Sequence, residues 1–339
     1  MRIVLSTCFV VLISITSLQA QQVKTDAFKK ILENENKDTV AWVHSGTLNV
    51  GFNEGFLHNW SAGGELGALA INSLFSGSLV RFHRRDIWTN NLDLAYGLYY
   101  AYSNHFVPHK TDDRIDLTSK FGVRLDSSKY FYLTGLFNFK SQFTKAYDYG
   151  MQRWDTASTS KFFSPAYFTI AVGVEYRKGT DVSLFYSPLA ARITVADRYY
   201  TNQSKDGAFG VPYGKTAMFQ LGSYFSGRYV KNFNKCMTFK TRLDLYSNYL
   251  AKDRVESDGT VIHNSPTNIY VLWDNLLTWK ISKLFNLTFG LSCIYDNDIP
   301  YSSMYVDNTG KLVDKGEPGE NLGWLQTKQI FTLGFLYKI

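Results

Sequence analysis

The chain has 339 residues, 45% of them hydrophobic, 16% aromatic and 19% charged, and this balance excludes an intrinsically disordered protein. The formal net charge of +7 is compatible with nucleic acid, an anionic lipid or an anionic solute as a partner. Beyond the first residues, no stretch approaches the roughly 20 consecutive apolar residues that a membrane-spanning helix needs.

Residues 1–20 are typical of a secretory signal peptide. Arg2 provides a positive start, a largely apolar stretch follows up to Leu18, and the segment ends in a small residue. The alternative, a transmembrane anchor, is disfavoured because Ser and Thr interrupt a short run. Export argues against a nucleic-acid partner. Residues 21–42 are then predicted to be a short periplasmic segment, and Cys236 and Cys293 are expected to be free thiols.

Residues 113–143 show most clearly the pattern that recurs along the chain. Apolar Ile115 and Leu117 alternate with charged Arg114 and Asp116, and the alternation resumes after a tight turn. A period of two residues predicts β-strands with one apolar and one polar face. Twelve strands are predicted, at 43–53, 65–83, 87–103, 113–125, 130–143, 166–177, 181–199, 215–231, 235–250, 268–282, 285–297 and 326–339.

The connections between these strands alternate between short turns and long loops. An even strand number with such connections predicts an all-β fold, a transmembrane antiparallel β-barrel of about 12 strands over residues 43–339, with short periplasmic turns and longer extracellular loops. Twelve strands enclose more space than side chains fill well, so the apolar faces are expected to contact outer-membrane lipid. The apolar last strand is expected to suit recognition by the barrel-assembly machinery during biogenesis.

Strand 181–199 changes phase along its length. Its apolar residues are even-numbered at Val182 and Leu184 but odd-numbered at Ile193 and Val195. One extra residue in a strand produces such a shift, and proline is tolerated there. A β-bulge is therefore predicted around Pro188.

Several stretches resemble one known family. They are 59–65 (NWSAGGE), 91–97 (NLDLAYG), 110–115 (KTDDRI), 161–167 (KFFSPAY), 187–189 (SPL) and 294–299 (IYDNDI). In combination they resemble the domain-of-unknown-function 3078 family of secreted proteins from Bacteroidota-type bacteria. The resemblance implies a location in the cell outer membrane after secretory export, and it implies no catalytic residue.

The predicted lumen carries more cations than anions. The candidate lumen-lining binding residues are Arg114, Lys120, Arg124, Lys140, Arg177, Arg192, Arg228, Lys240 and Arg242, with Lys280 and Lys338 on the same face. The acids on this face are Asp93, Asp116, Glu175, Asp244, Asp274 and Asp296. An excess of positive charge predicts a narrow passive channel for small anionic solutes. The alternative is a non-transporting structural or accessory subunit of an outer-membrane assembly, whose lumen is plugged by its own ion pairs.

No motif in the sequence predicts an enzyme or a cofactor. His105 and His109 flank Asp112 and Asp113, but a loop cluster without a nucleophile motif is usually a solvated surface. The acids in and before the last outer loop, 298–325, among them Asp296 and Asp298, offer oxygen ligands for Ca²⁺. Their spacing does not match an EF-hand and acidic outer loops are ordinary, so calcium stays an open alternative and no metal is assigned. The expected partners are outer-membrane lipid and, for the accessory hypothesis, other outer-membrane proteins.

Overall fold

The structure is a computed structural model that describes residues 40–56, 67–125, 129–147, 154–156, 158–179, 181–255, 261–262, 264–282, 285–295, 304–306, 312–314 and 325–338. The predicted signal peptide and residues 21–39 lie outside the described residues. Ala41 and Trp42 belong to the first strand and not to the predicted periplasmic segment. Within the described ranges, no helix is long and apolar enough to cross a membrane.

Twelve antiparallel strands close into one barrel, which confirms the predicted architecture. They are β1 (Ala41–Phe56), β2 (Gly67–His83), β3 (Asp86–Ala101), β4 (His109–Arg124), β5 (Phe131–Ser141), β6 (Ala166–Lys178), β7 (Val182–Val195), β8 (Ala217–Asn232), β9 (Met237–Asn248), β10 (Ile269–Lys280), β11 (Phe285–Tyr295) and β12 (Leu325–Lys338). Each strand pairs with its neighbours in the chain, and β12 pairs with β1 to complete the ring.

The alternation of side chains explains why these strands form a transmembrane barrel. On β5, Leu133 and Phe137 face outward and are exposed, whereas Thr134 and Asn138 face the lumen and are buried. The outward face is apolar around the ring, and the lumen face carries the charged and polar side chains together with buried apolar clusters, one of them around Leu136, Phe185 and Tyr224. A closed sheet can pair its backbone groups between strands, and pairing is what a chain in hydrocarbon requires.

The predicted bulge in β7 is confirmed. Across it, Tyr186 pairs with Val174 but Leu189 pairs with Val172, so two residues of β7 stand opposite Gly173. The Ser187 hydroxyl stabilises the bulge by hydrogen bonds of 2.8 Å with the carbonyls of Val172 and Leu189. The lumen face therefore changes from odd to even residues.

Most strand ends differ from the prediction by a few residues, and two of the larger differences have a clear structural cause. β4 starts at His109, before residue 113, because a second bulge opposite Gly97 lets it continue the pairing with β3. β7 ends at Val195 and not at residue 199. There the Asp197 side chain accepts the backbone N–H of Tyr199 and caps a short helix, α1 (Arg198–Thr201).

The long loops contain small sheets of their own. Residues 146–147 pair with 158–160, 254–255 with 261–262, and 304–306 with 312–314. Cys236 and Cys293 are free thiols, as expected.

Candidate functional site

All nine predicted lumen cations lie at positions whose strand alternation points inward. Arg114, Lys140, Arg228 and Arg242 lie in the central part, Arg192 lies toward the long loops, and Lys120, Arg124, Arg177 and Lys240 lie toward the short turns. Lys280 shares this face on β10, and the side chain of Lys338 lies outside the described residues. The geometry thus places the nine side chains in one lumen, and their binding role stays a prediction.

Arg242 is the centre of the main charge cluster. One guanidinium nitrogen lies 2.7 Å from Asp116 Oδ2 and the other lies 2.6 Å from Asp244 Oδ2. Lys140 Nζ lies 3.7 Å from the same Asp244 oxygen. The side chains of Asp116 and Asp244 are 3% and 1% exposed, so both charges are neutralised away from water.

Uncharged side chains donate to the second oxygen, Oδ1, of each of these carboxylates. Asn138 Nδ2 donates to Asp116 Oδ1 at 2.6 Å, and the Ser226 hydroxyl donates to Asp244 Oδ1 at 2.7 Å. A buried ion pair is tolerated when its remaining lone pairs are satisfied in this way.

These contacts cross the lumen. Arg242 is on β9 and Asp116 on β4, and four strands separate them by the shorter route around the barrel. Arg114 of β4 reaches Asp274 on β10, the strand opposite it in the ring, with 3.4 Å between Nη1 and Oδ2. Arg228 of β8 donates to Thr118 Oγ1 of β4 at 3.1 Å. Opposite walls are therefore joined through side chains near the middle of the barrel.

A second charge cluster lies closer to the short turns and is centred on Glu175. Its carboxylate receives Lys120 Nζ at 3.4 Å and Arg177 Nη2 at 3.1 Å. The Ser183 hydroxyl donates to the same carboxylate at 2.5 Å. Glu175 and Lys120 are buried, and Lys120 Nζ also lies 5.3 Å from the centre of the Phe185 ring. This second cluster adds further charged side chains to the lumen between the first cluster and the short-turn end.

Arg192 lies on the long-loop side of both clusters, among three tyrosines. Its guanidinium carbon is 4.6 Å from the ring centre of Tyr270, 5.3 Å from that of Tyr167 and 5.7 Å from that of Tyr246. The group borders a small cleft that is partly open to solvent and that Gln220 also lines. Sequence reasoning missed the tyrosines, because alternation assigns each one to a face and does not show that they converge on one arginine.

At the start of β4, the two aspartates that the sequence places near His105 and His109 are each paired with a lysine. Asp113 receives Lys110 Nζ at 2.8 Å and also accepts the backbone N–H of Phe143 and of Thr144. Asp112 lies 2.7 Å from Lys328 Nζ. These contacts hold the beginning of β4 to the end of β5 and to β12. Within the described ranges, no group of three or more His, Cys, Asp or Glu residues is arranged to hold a metal ion. The acids of the last outer loop lie mostly outside those ranges.

Outside the barrel wall, Lys161 and Asp197 form an ion pair between two loop segments. The hydrogen bond from Lys161 lowers the pKa of Asp197, and the backbone N–H of Tyr199 lowers it further. The same hydrogen bond raises the pKa of Lys161. The pair ties the loop before β6 to the start of α1.

A closed antiparallel barrel with an apolar exterior and a charged interior defines a transmembrane β-barrel of the outer-membrane class. The predicted family resemblance is confirmed over residues 52–147, which match the family described as "Protein of unknown function (DUF3078)". Among curated proteins, no relative matches the chain.

Three solved structures that match most of the chain do so at low sequence identity. The translocator domain of the autotransporter NalP from Neisseria meningitidis is 11% identical, with a TM-score of 0.31, over 94% of this chain and 95% of its own. An outer membrane channel from Pseudomonas putida F1 is 10% identical, with a TM-score of 0.35, over 90% of this chain and 97% of its own. A FadL homologue from Pseudomonas aeruginosa is 11% identical, with a TM-score of 0.28, over 88% of each chain.

Proposed function

We propose that this protein is an outer-membrane barrel whose lumen is closed by its own ion pairs, and that it serves as a non-transporting structural or accessory subunit of an outer-membrane assembly. The contact between Arg242 and Asp116 carries this proposal. It joins nearly opposite strands at 2.7 Å, and the Arg114 contact with Asp274 repeats the crossing nearby. The proposal includes export by the predicted signal peptide and insertion by the barrel-assembly machinery.

Burial supports the closed lumen. Water in an open pore would reach the charged groups along its wall, yet Asp116, Lys120 and Asp244 are all buried. Mobile ions also compete poorly with fixed partners, because each buried carboxylate already has a cation and a hydrogen-bond donor. A solute would have to break several such pairs in order to pass.

The test is single-channel recording in planar bilayers with folded protein. Wild-type barrels should be silent, and the double variant Arg114→Ala/Arg242→Ala should show steps because it removes two of the ion pairs that cross the middle of the lumen and leaves the Arg228 hydrogen bond to Thr118 there. Arg124→Ala is the matched control, since it deletes an inward-facing cation at the short-turn end. Steady conductance from the wild type would refute the proposal.

The second candidate is a narrow passive channel for small anionic solutes. The excess of cations on the lumen face favours it, since Lys240 and Lys280 add positive charge beyond the central cluster. The same recordings in a salt gradient decide between the two functions. Anion-selective steps from the wild type, reduced in Lys240→Ala, would support the channel in place of the accessory subunit.

A further inference from the structure

The seam between the first and last strands is much shorter than the strands themselves. β1 pairs with β2 along its whole length, and β12 pairs with β11 from Leu325 to Phe335. By contrast, β1 and β12 pair only where Thr47–Gly51 faces Gly334–Lys338. Among the described residues, Phe52–Phe56 of β1 and Leu325–Leu333 of β12 have no ladder across the seam.

The ladder stops at a pair of glycines. Gly51 and Gly334 are the last partners, and a Cβ on Gly334 would lie 2.6 Å from the Val50 carbonyl oxygen, so the two walls approach closely there. Beyond this point β1 continues to pair with β2, and β12 continues to pair with β11. The parted segments are about 17 Å of β1 and about 30 Å of β12 at 3.3–3.4 Å per residue. They point toward the long-loop end.

Side-chain exposure indicates the same parting. Asn49 and Asn53 share the lumen face of β1, yet Asn49 is 6% exposed at the paired level and Asn53 is exposed above it. On the lipid face of β12, Phe331 is 66% exposed, against 38–50% for Phe121, Phe137 and Phe335, which are paired on both sides. Asn53 and Phe331 lack the neighbouring strand that would cover them.

The two parted edges leave backbone N–H and C=O groups of the barrel wall without a ladder across the seam, next to apolar outward residues at Leu333 and Phe331. Each unsatisfied group in hydrocarbon costs several kcal/mol, and an acyl chain offers neither donor nor acceptor. An extended polypeptide offers both at every residue, which is why free sheet edges recruit strands. The outward residues of β12 run from Leu333 and Phe331 to Gln329 and Thr327, so a fitting strand is apolar near the membrane interior and polar toward its surface.

We propose that this open seam is the docking site of the protein, and that it receives an extended strand of a partner polypeptide from the outer-membrane assembly. This inference rests on the proposed accessory function and names the kind of partner involved. The incoming strand would pair with the β12 edge between Leu325 and Leu333 and complete the ring on its long-loop side.

Hydrogen exchange on the wild-type barrel in lipid nanodiscs tests the seam without any substitution. Successive N–H groups of a strand point to opposite sides, so every second amide in 325–331 should exchange at least about tenfold faster than the amides between them. The amides of β11, which is paired on both sides, should be uniformly slow. Uniformly slow exchange in 325–331 would overturn the inference.

Binding is tested with a synthetic, fluorescently labelled peptide that has the sequence of residues 52–60, which continues the observed register opposite 333–325. The matched variant is Glu54→Cys/Phe331→Cys in a Cys236→Ser/Cys293→Ser background, since 54 and 331 are opposite in the same register. Saturable binding should be lost when the disulfide forms and regained on reduction. Binding that is absent from the wild type, matched by a scrambled peptide, or unchanged by the disulfide would overturn the docking site.

Conductance measured on the same barrels separates this inference from the proposed function. Channel steps with intact peptide binding would refute the closed lumen and leave the seam standing. Silent barrels that bind no peptide would refute the seam alone.

Discussion

Replacing Arg242 with methionine should destabilise the barrel more than any other single substitution among the lumen charges. The change removes the cation that faces both Asp116 and Asp244, whose side chains are only 3% and 1% exposed. Removing one partner of a buried ion pair costs about 3–5 kcal/mol, because the remaining charge is left without compensation. Here two carboxylates lose their shared partner, and Lys140 at 3.7 Å compensates only Asp244. The expected loss in the free energy of unfolding is therefore about 3–5 kcal/mol.

Asp116→Asn is the matched control for this prediction. It keeps the shape of the side chain and leaves Arg242 paired with Asp244, so the expected loss is about 1–3 kcal/mol. Urea unfolding of the barrel in lipid vesicles, followed by tryptophan fluorescence, gives both values from the shift in midpoint at constant slope. A loss below about 1 kcal/mol for Arg242→Met, or a larger loss for Asp116→Asn, would show that the pair is solvated and that the lumen is more open than the contacts indicate.

Three further predictions address the wall, the bulge and the loops. Val172→Lys puts a charge on the lipid face of β6 and should cost about 2–4 kcal/mol in vesicle unfolding, with a smaller change for Lys240→Leu; the opposite order would mean that the faces are inverted. Gly173→Ala should lower the free energy of unfolding by about 1–3 kcal/mol or more, because the new Cβ would lie 2.0 Å from the Tyr186 carbonyl oxygen. Gly135→Ala is the control and should be neutral, because no atom lies within 4 Å of its Cβ position. Equal effects of the two substitutions would contradict the close approach at Gly173. Because the pKa of Asp197 is lowered in the folded state, its contribution is present above its ordinary pKa and disappears as the pH falls through the lowered value. Limited proteolysis of the loop at 196–216 should therefore speed up with acid in the wild type and be pH-independent in Asp197→Asn, and an identical pH response in both would exclude this pair as the cause.

The strand map and its faces could be predicted because both are local properties. Apolar and polar residues alternate with a period of two within each segment, as in Phe131 to Asn138, so the pattern can be recognised without knowing which strands pair. The bulge could be predicted for the same reason, since the phase change around Pro188 is visible within one strand. The end at Val195 could not, because it depends on whether Asp197 caps a helix or continues the strand.

The sequence by itself determined a barrel of twelve strands, an apolar exterior and a lumen with more cations than anions. The tertiary structure alone decided which charges meet. Arg242 and Asp116 are 126 residues apart in the chain, and they touch only because the ring closes and brings strands β9 and β4 to the same level. The length of the seam was likewise decided there, because the register between β1 and β12 is set by closure of the whole ring and by no turn that joins the two strands.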